Sequence, residues 1–216
     1  MKLFLDTANI EEIREAKSWG IIDGVTTNPS HVAKEGTKFE DLIDEIFELF
    51  PDGEISVEVT ATDFDGIVKE AHTIVEAHEN ALVKVPLIKE GIKAIKVLSE
   101  EGIKINTTLC FSAVQAMLAA KAGATYISPF VGRLDAIGTD GIQLVRDIRQ
   151  IYDNYGMETG ILAAALRTPK HVLQSAVIGA EVATMNFEIM EKLFHHPMTD
   201  SGLEQFLDDW ENRPVK

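Results

Sequence analysis

Cysteine is almost missing from this chain: Cys110 is the only one in 216 residues. It has no partner for a disulfide within the chain, so a reducing, cytoplasmic setting is expected. Long apolar runs are missing as well. No stretch reaches the roughly 20 residues that a membrane-spanning helix needs, so no membrane partner is expected. The start, Met1-Lys2-Leu3-Phe4-Leu5-Asp6, meets an acid too early for a secretory signal. Basic residues are scarce, with 20 Lys and Arg against 35 Asp and Glu and a formal charge of −15. That balance argues against nucleic acid or an anionic surface as a general partner. An anionic substrate would have to be held by a few local arginines against an unfavourable field. No Cys/His group has metal-ligand spacing, and His195-His196 before Pro197 reads as a helix end. No metal and no cofactor are expected.

There is also no linker and no low-complexity stretch, so residues 1–216 are expected to form one domain. Short β-rich runs alternate with helical patterns throughout. The strands read as Lys2–Leu5, Gly24–Thr26, Ile55–Val59, Ala81–Val85, Lys104–Thr107, Tyr126–Ser128, Gly160–Ala163 and Glu181–Thr184. Helical segments lie between them: Ile10–Trp19, Lys38–Leu49, Phe64–Ala77, Gly91–Ser99, Ser112–Lys121, Gly141–Tyr155 and Pro169–Val177. Phe187–Phe194 and Gly202–Trp210 close the chain. Asn9 with Glu12 makes a capping box, and Gly20, Gly123 and Gly179 stand where helices should end. Eight such units in about 200 residues predict an α/β fold, a (β/α)₈ TIM barrel with an additional C-terminal helix. A doubly wound open sheet is the alternative, but the Gly-rich phosphate loop expected after its first strand is absent after Leu5.

Lys84 is the most informative residue. It sits within Ala81-Leu82-Val83-Lys84-Val85-Pro86, a run that reads as a strand buried on both faces. An ammonium is costly to desolvate there, which favours a neutral, nucleophilic amine. The other polar residues of the strands gather at their C-terminal ends, the catalytic face of a barrel. Asp6 ends strand one, Asn28 follows strand two, and Glu58 lies late in strand three. Asn106 and Thr108 share a face of strand five, as do Ser128 and Phe130 at the end of strand six. Arg133 falls in the next loop and Arg167 just after strand seven, whereas Lys2 and Lys104 start their strands at the opposite rim.

These parts assemble a reaction. Lys84 attacks a ketone, and the iminium formed draws electrons from a neighbouring C–C bond. Asp6 takes the proton of the hydroxyl β to that carbon, and an aldehyde leaves. Glu58 and Thr108 hold the water for dehydration and imine hydrolysis. Asn28 and Asn106 offer hydrogen bonds to sugar hydroxyls, and Arg133 and Arg167 offer charge-assisted bonds to a phosphate. Two other readings keep the barrel: an isomerase or decarboxylase in which Lys84 is only an electrostatic partner, and a catalytically silent sugar-phosphate binder.

Four segments resemble the transaldolase family, in particular its small subclass: Phe4-Leu5-Asp6-Thr7-Ala8-Asn9, Gly24-Val25-Thr26-Thr27-Asn28-Pro29-Ser30, Val83-Lys84-Val85-Pro86 and Ser128-Pro129-Phe130-Val131-Gly132-Arg133. The resemblance runs from Met1 to about Trp210. It implies a barrel that moves a dihydroxyacetone unit from a ketose phosphate to an aldose phosphate, in the pentose phosphate pathway. The donors would be sedoheptulose 7-phosphate or fructose 6-phosphate, and the acceptors glyceraldehyde 3-phosphate or erythrose 4-phosphate. It further implies Lys84 as the Schiff-base lysine, Asp6 as acid/base, and Glu58 with Thr108 as the water-holding pair. Asn28, Asn106 and Ser128 match contacts to the dihydroxyacetone moiety, and Arg133 and Arg167 match contacts to the phosphate. The related fructose-6-phosphate aldolases, which release free dihydroxyacetone, carry glutamine in place of Glu58 and tyrosine in place of Phe130. Ala165 departs from the serine common at that position, which removes a hydroxyl beside the phosphate. Small members assemble as pentamers or decamers, so a homo-oligomer is expected.

Overall fold

The computed structural model describes residues 1–35 and 38–213. Its first half contains β1 (Lys2–Asp6), α1 (Ile10–Ser18), β2 (Gly24–Thr26), α2 (Pro29–Glu35), α3 (Phe39–Leu49), β3 (Glu54–Glu58), α4 (Phe64–Ala77), β4 (Leu82–Pro86) and α5 (Lys89–Glu100). The second half contains β5 (Ile105–Cys110), α6 (Ala113–Ala122), β6 (Tyr126–Pro129), α7 (Val131–Asp135), α8 (Gly141–Tyr155), β7 (Gly160–Leu166), α9 (Pro169–Ile178), β8 (Val182–Met185), α10 (Phe187–Lys192) and α11 (Pro197–Glu211). The eight strands pair in parallel in chain order, and β8 returns to pair with β1, closing the expected barrel.

Local signals account for the element ends. The Asn9 carboxamide accepts from Glu12 N at 3.0 Å to start α1, and Gly20, Gly123 and Gly179 take left-handed φ values of 72°, 96° and 90° just past their helices. Two helices were not expected. α2 opens with Pro29 in its first turn after Asn28, and α7 has only five residues, too short to show a helical period. Arg133 therefore lies on a helix rather than in a loop. The final helix also starts earlier than its apolar pattern does: α10 ends at Lys192, and Pro197 opens α11 behind a His196 cap that accepts from Met198 N at 3.1 Å.

The interior of the barrel is divided along its axis. At the N-terminal end Glu54 accepts from Lys2 Nζ at 2.7 Å and from the Tyr126 hydroxyl at 3.1 Å. Above them Phe4, Leu162, Ala164 and Val182 form a small apolar cluster inside the ring. Gly24 is required beside it, because a Cβ there would stand 2.2 Å from Glu54 O and 2.8 Å from the Phe4 ring. The larger core lies outside the ring, between strands and helices, where the odd-numbered partners such as Leu5, Val25, Val57, Val83 and Ile127 are buried. That alternation leaves the even set, Asp6, Thr26, Glu58, Lys84, Asn106 and Ser128, for the upper part of the barrel.

Two strands are kinked near the mouth. The β5–β6 register shifts between Thr107 and Cys110, with Leu109 at φ +61°, and the β7–β8 register shifts between Ala163 and Leu166, with Ala165 at φ +55°. Such bulges re-aim the residues that follow, at a backbone cost of about 1 kcal/mol for each non-glycine residue held left-handed.

Cys110, at the end of β5, is buried, and that burial pushes its thiol from 9.0 up to about 12. The unfolded chain then releases this proton first, so stability falls as pH rises from about 9 towards about 12. The melting temperature of the unaltered protein should drop more across that window than that of Cys110→Ala. Parallel pH profiles would contradict it.

Candidate active site

Register sets Glu58 against Lys84 and Lys84 against Asn106 across β3, β4 and β5. Lys84 Nζ lies 2.8 Å from Glu58 Oε2 and donates to Thr27 O at 3.0 Å. The two side chains are only 7% and 14% exposed, so the pair is held with little help from water. The carboxylate supplies a proton acceptor within hydrogen-bonding reach of the amine.

On the β1 side, Asp6 ends its strand level with Thr26. Thr26 Oγ1 donates to Asp6 Oδ1 at 2.9 Å and lies 2.6 Å from Thr184 Oγ1. A hydroxyl has one proton, so Thr184 must be the donor to Thr26, giving a directed chain Thr184 to Thr26 to Asp6. The chain fixes one carboxylate oxygen and leaves the other free for chemistry. Between the two carboxylates, Ser128 Oγ donates to Asn106 Oδ1 at 2.6 Å, and Asn106 Nδ2 donates to Ser56 Oγ at 3.1 Å. The Asn106 carboxamide is thereby oriented from both ends.

Asn28 has two attachments. Its Oδ1 accepts from His31 N at 3.0 Å, which caps α2, and its Nδ2 lies 3.1 Å from His31 Nδ1. Asn28 thus caps α2 and also faces the mouth. Phe130, half-buried, packs edge-on against Phe111 at 5.7 Å, with the Arg133 guanidinium 5.0 Å above its ring. Arg133 and Arg167 are both exposed, and among the described residues neither guanidinium has a carboxylate partner.

A cavity of about 170 Å³ opens at this mouth. Lys84, Asp6, Asn28, Asn106, Ser128, Phe130, Arg133 and Arg167 all line it, and so does Ala165. Glu58 and Thr108 do not. Glu58 reaches the cavity only through Lys84 and otherwise borders a separate hollow with Phe39, Thr60 and Ile74. Thr108 is fully buried, and its hydroxyl has no hydrogen-bond partner among the described residues. Lys2 and Lys104 lie at the other end, Lys104 exposed just before β5.

Among the lining residues that the sequence reading did not assign to the site are Thr26, Thr184 and His31. Thr26 and Thr184 belong to the inward-facing set, and strict two-residue alternation from Gly24 and Val182 would have flagged them. His31 belongs to the unassigned helix α2; its Nδ1 lies 3.8 Å from Asp6 Oδ1. No cluster of three or more His, Cys, Asp or Glu side chains is arranged for a metal among the described residues, and none of their helices is long and apolar enough to cross a membrane. The mouth therefore brings together an amine backed by the Glu58 carboxylate, the separately held Asp6 carboxylate, polar side chains and two guanidinium groups without a carboxylate partner among the described residues.

Comparison with known proteins points to one family. The family model for transaldolase/fructose-6-phosphate aldolase matches residues 3–213. A protein of Dictyoglomus turgidum named probable transaldolase is 60% identical over 214 residues, covering 99% of this chain and 100% of that one. A probable transaldolase of Kosmotoga olearia is 57% identical over 211 residues, covering 98% of this chain and 96% of its own. One from Methanococcus maripaludis is 54% identical over 211 residues, covering 98% of each chain.

The buried ion pair makes a stability prediction. Removing one partner strands the other charge, so Glu58→Leu should lower the urea-unfolding free energy by roughly 3 kcal/mol. The double change Glu58→Leu with Lys84→Met should recover most of that loss. Additive losses would show that the two groups are not coupled.

Proposed function

The chain belongs to the transaldolase/fructose-6-phosphate aldolase family, and from that premise we propose that it is a transaldolase working through a Schiff base on Lys84. The observation that carries the reading is the placement of Lys84 against Glu58, with Asp6 held separately across the same cavity. A ketose phosphate enters with its carbonyl carbon towards Lys84 and its phosphate towards Arg133 and Arg167. The amine must be unprotonated at the moment of attack, and Glu58 at 2.8 Å is placed to take its proton. Loss of water from the carbinolamine gives the iminium. Asp6 then takes the proton of the hydroxyl on the carbon next but one, the C–C bond breaks, and the first aldehyde phosphate leaves.

The three-carbon enamine stays bound to Lys84, with Asn106, Ser128 and Asn28 in reach of its hydroxyls. An incoming aldose phosphate reverses the steps, and Asp6 returns its proton to the new hydroxyl. Dehydration and final hydrolysis both need a water near Lys84. Thr108, a buried hydroxyl without a protein partner, together with Glu58, supports a water position there. Donors of the sedoheptulose 7-phosphate and fructose 6-phosphate type, acceptors of the glyceraldehyde 3-phosphate and erythrose 4-phosphate type, and a cytoplasmic role in the pentose phosphate pathway complete the proposal.

We also propose that the chain works as a homo-oligomer. Helix α11 buries none of its own residues, while Met198, Leu203, Phe206, Leu207 and Trp210 are 54–71% exposed. Such a stripe is too apolar for a solvated helix, and a second copy of this chain would cover it.

Consumption of fructose 6-phosphate should depend on added erythrose 4-phosphate. Steady release of free dihydroxyacetone without an acceptor would favour the aldolase instead. Asp6→Ala should slow C–C cleavage by ~10²–10⁴-fold while imine still forms; unchanged cleavage would remove Asp6 from its role. Phe206→Asp with Leu207→Asp should lower the mass seen by sedimentation. A monomeric unaltered protein would overturn the assembly.

A further inference from the structure

Arg133 and Arg167 stand on different connections, one in α7 and one after β7, and nothing in the covalent chain keeps their guanidinium groups convergent. Two of the contacts that join these connections lie next to the arginines. The first is at Gly132, where a Cβ would stand 2.4 Å from Ala165 O and 2.6 Å from Arg167 Cγ, so α7 lies directly against the bulged end of β7. The second runs through His171 of α9. Its Nδ1 accepts from the Arg167 backbone N–H at 3.2 Å, which requires a neutral ring carrying its proton on Nε2. That Nε2 lies 3.1 Å from Asp135 Oδ2, two residues after Arg133. The other oxygen of Asp135 accepts from Gly141 N at 2.9 Å, so the carboxylate is itself anchored to the start of α8. The imidazole is only 16% exposed and sees both partners at once.

We propose that His171 and Asp135 form a clasp that holds Arg133 and Arg167 at the spacing of a single phosphate group. His171 touches no substrate; it is a positioning residue that acts through the backbone of Arg167. The clasp rests on the sugar-phosphate reading above, and it adds the device that keeps the phosphate end of that site in shape. The Phe130–Ala164 bridge and Gly132 set α7 against β7. The His171–Asp135 bridge adds an attachment next to each arginine, which matters because bonds from two guanidinium groups to one anion are lost with small errors of placement.

The two ring nitrogens can be tested separately. In His171→Asn the amide oxygen replaces Nδ1 and cannot reach Asp135. In His171→Gln the amide nitrogen replaces Nε2 and leaves Arg167 N–H without its acceptor. Both variants, and Asp135→Asn, are assayed with fructose 6-phosphate as donor and with inorganic phosphate as competitive inhibitor. KM and the inhibition constant should rise together, by roughly tenfold, with kcat kept within about twofold. Asp135→Asn combined with His171→Asn should be no worse than either alone. An unchanged KM in both His171 variants overturns the clasp, as does a fall in kcat without a change in the inhibition constant. Should inorganic phosphate fail to compete in the unaltered protein, the sugar-phosphate reading falls and the clasp falls with it. Competition that is equal in the unaltered protein and the variants sinks the clasp alone.

Discussion

The contact between Lys84 and Glu58 is the constraint on which the rest of this molecule depends. An amine placed inside a ring of strands has to be partnered, and a partner has to be set by register, since no flexible loop could hold it there against desolvation. The parallel pairing of β3 with β4 does this by putting Glu58 directly beside Lys84. The same register brings Asn106 level with Lys84 on the other side. The barrel is in this sense a device for holding an ion pair at its mouth, which is what the proposed chemistry needs.

That requirement explains the division of the interior. The lower part is filled by Phe4, Leu162, Ala164 and Val182 over the Lys2–Glu54–Tyr126 network. The upper part is given to hydroxyls, carboxamides and charges that satisfy one another in short directed chains. The packed plug makes the mouth a dead end, so a substrate can approach only from the C-terminal face. There stand two arginines without a carboxylate partner among the described residues, on a chain whose net charge is −15. In the proposed reading such local cations draw in a phosphate against that negative background.

The strands and most helices were legible because their signals are local. Alternation exposed the inward-facing polar set, and capping residues and glycines marked most helix ends, the start of α11 at Pro197 excepted. The eight strands and their polar C-terminal ends were enough to gather Asp6, Asn28, Lys84, Asn106, Ser128, Phe130, Arg133 and Arg167 at one mouth. What stayed hidden depends on the third dimension. Helix α7 is too short for a period, α2 follows a proline that also suits a turn, and His31 was lost with α2; His171 sits on the expected helix α9, and only its distances to Arg167 N and Asp135 single it out. The threonine chain behind Asp6 consists of residues that any strand would favour, and only their distances reveal the relay. The sequence of helix α11 suits packing on a neighbour and a last core helix equally, since an apolar stripe is the same in sequence whether the chain buries it or leaves it bare.

The most direct test of the central claim is chemical capture at the amine. The protein is mixed with fructose 6-phosphate, reduced with borohydride and digested, and the peptide containing Lys84 is weighed. The account predicts that this peptide gains the mass of one reduced three-carbon unit, and that Lys84→Ala gains none. No added mass, or the same mass on a different lysine, would contradict it.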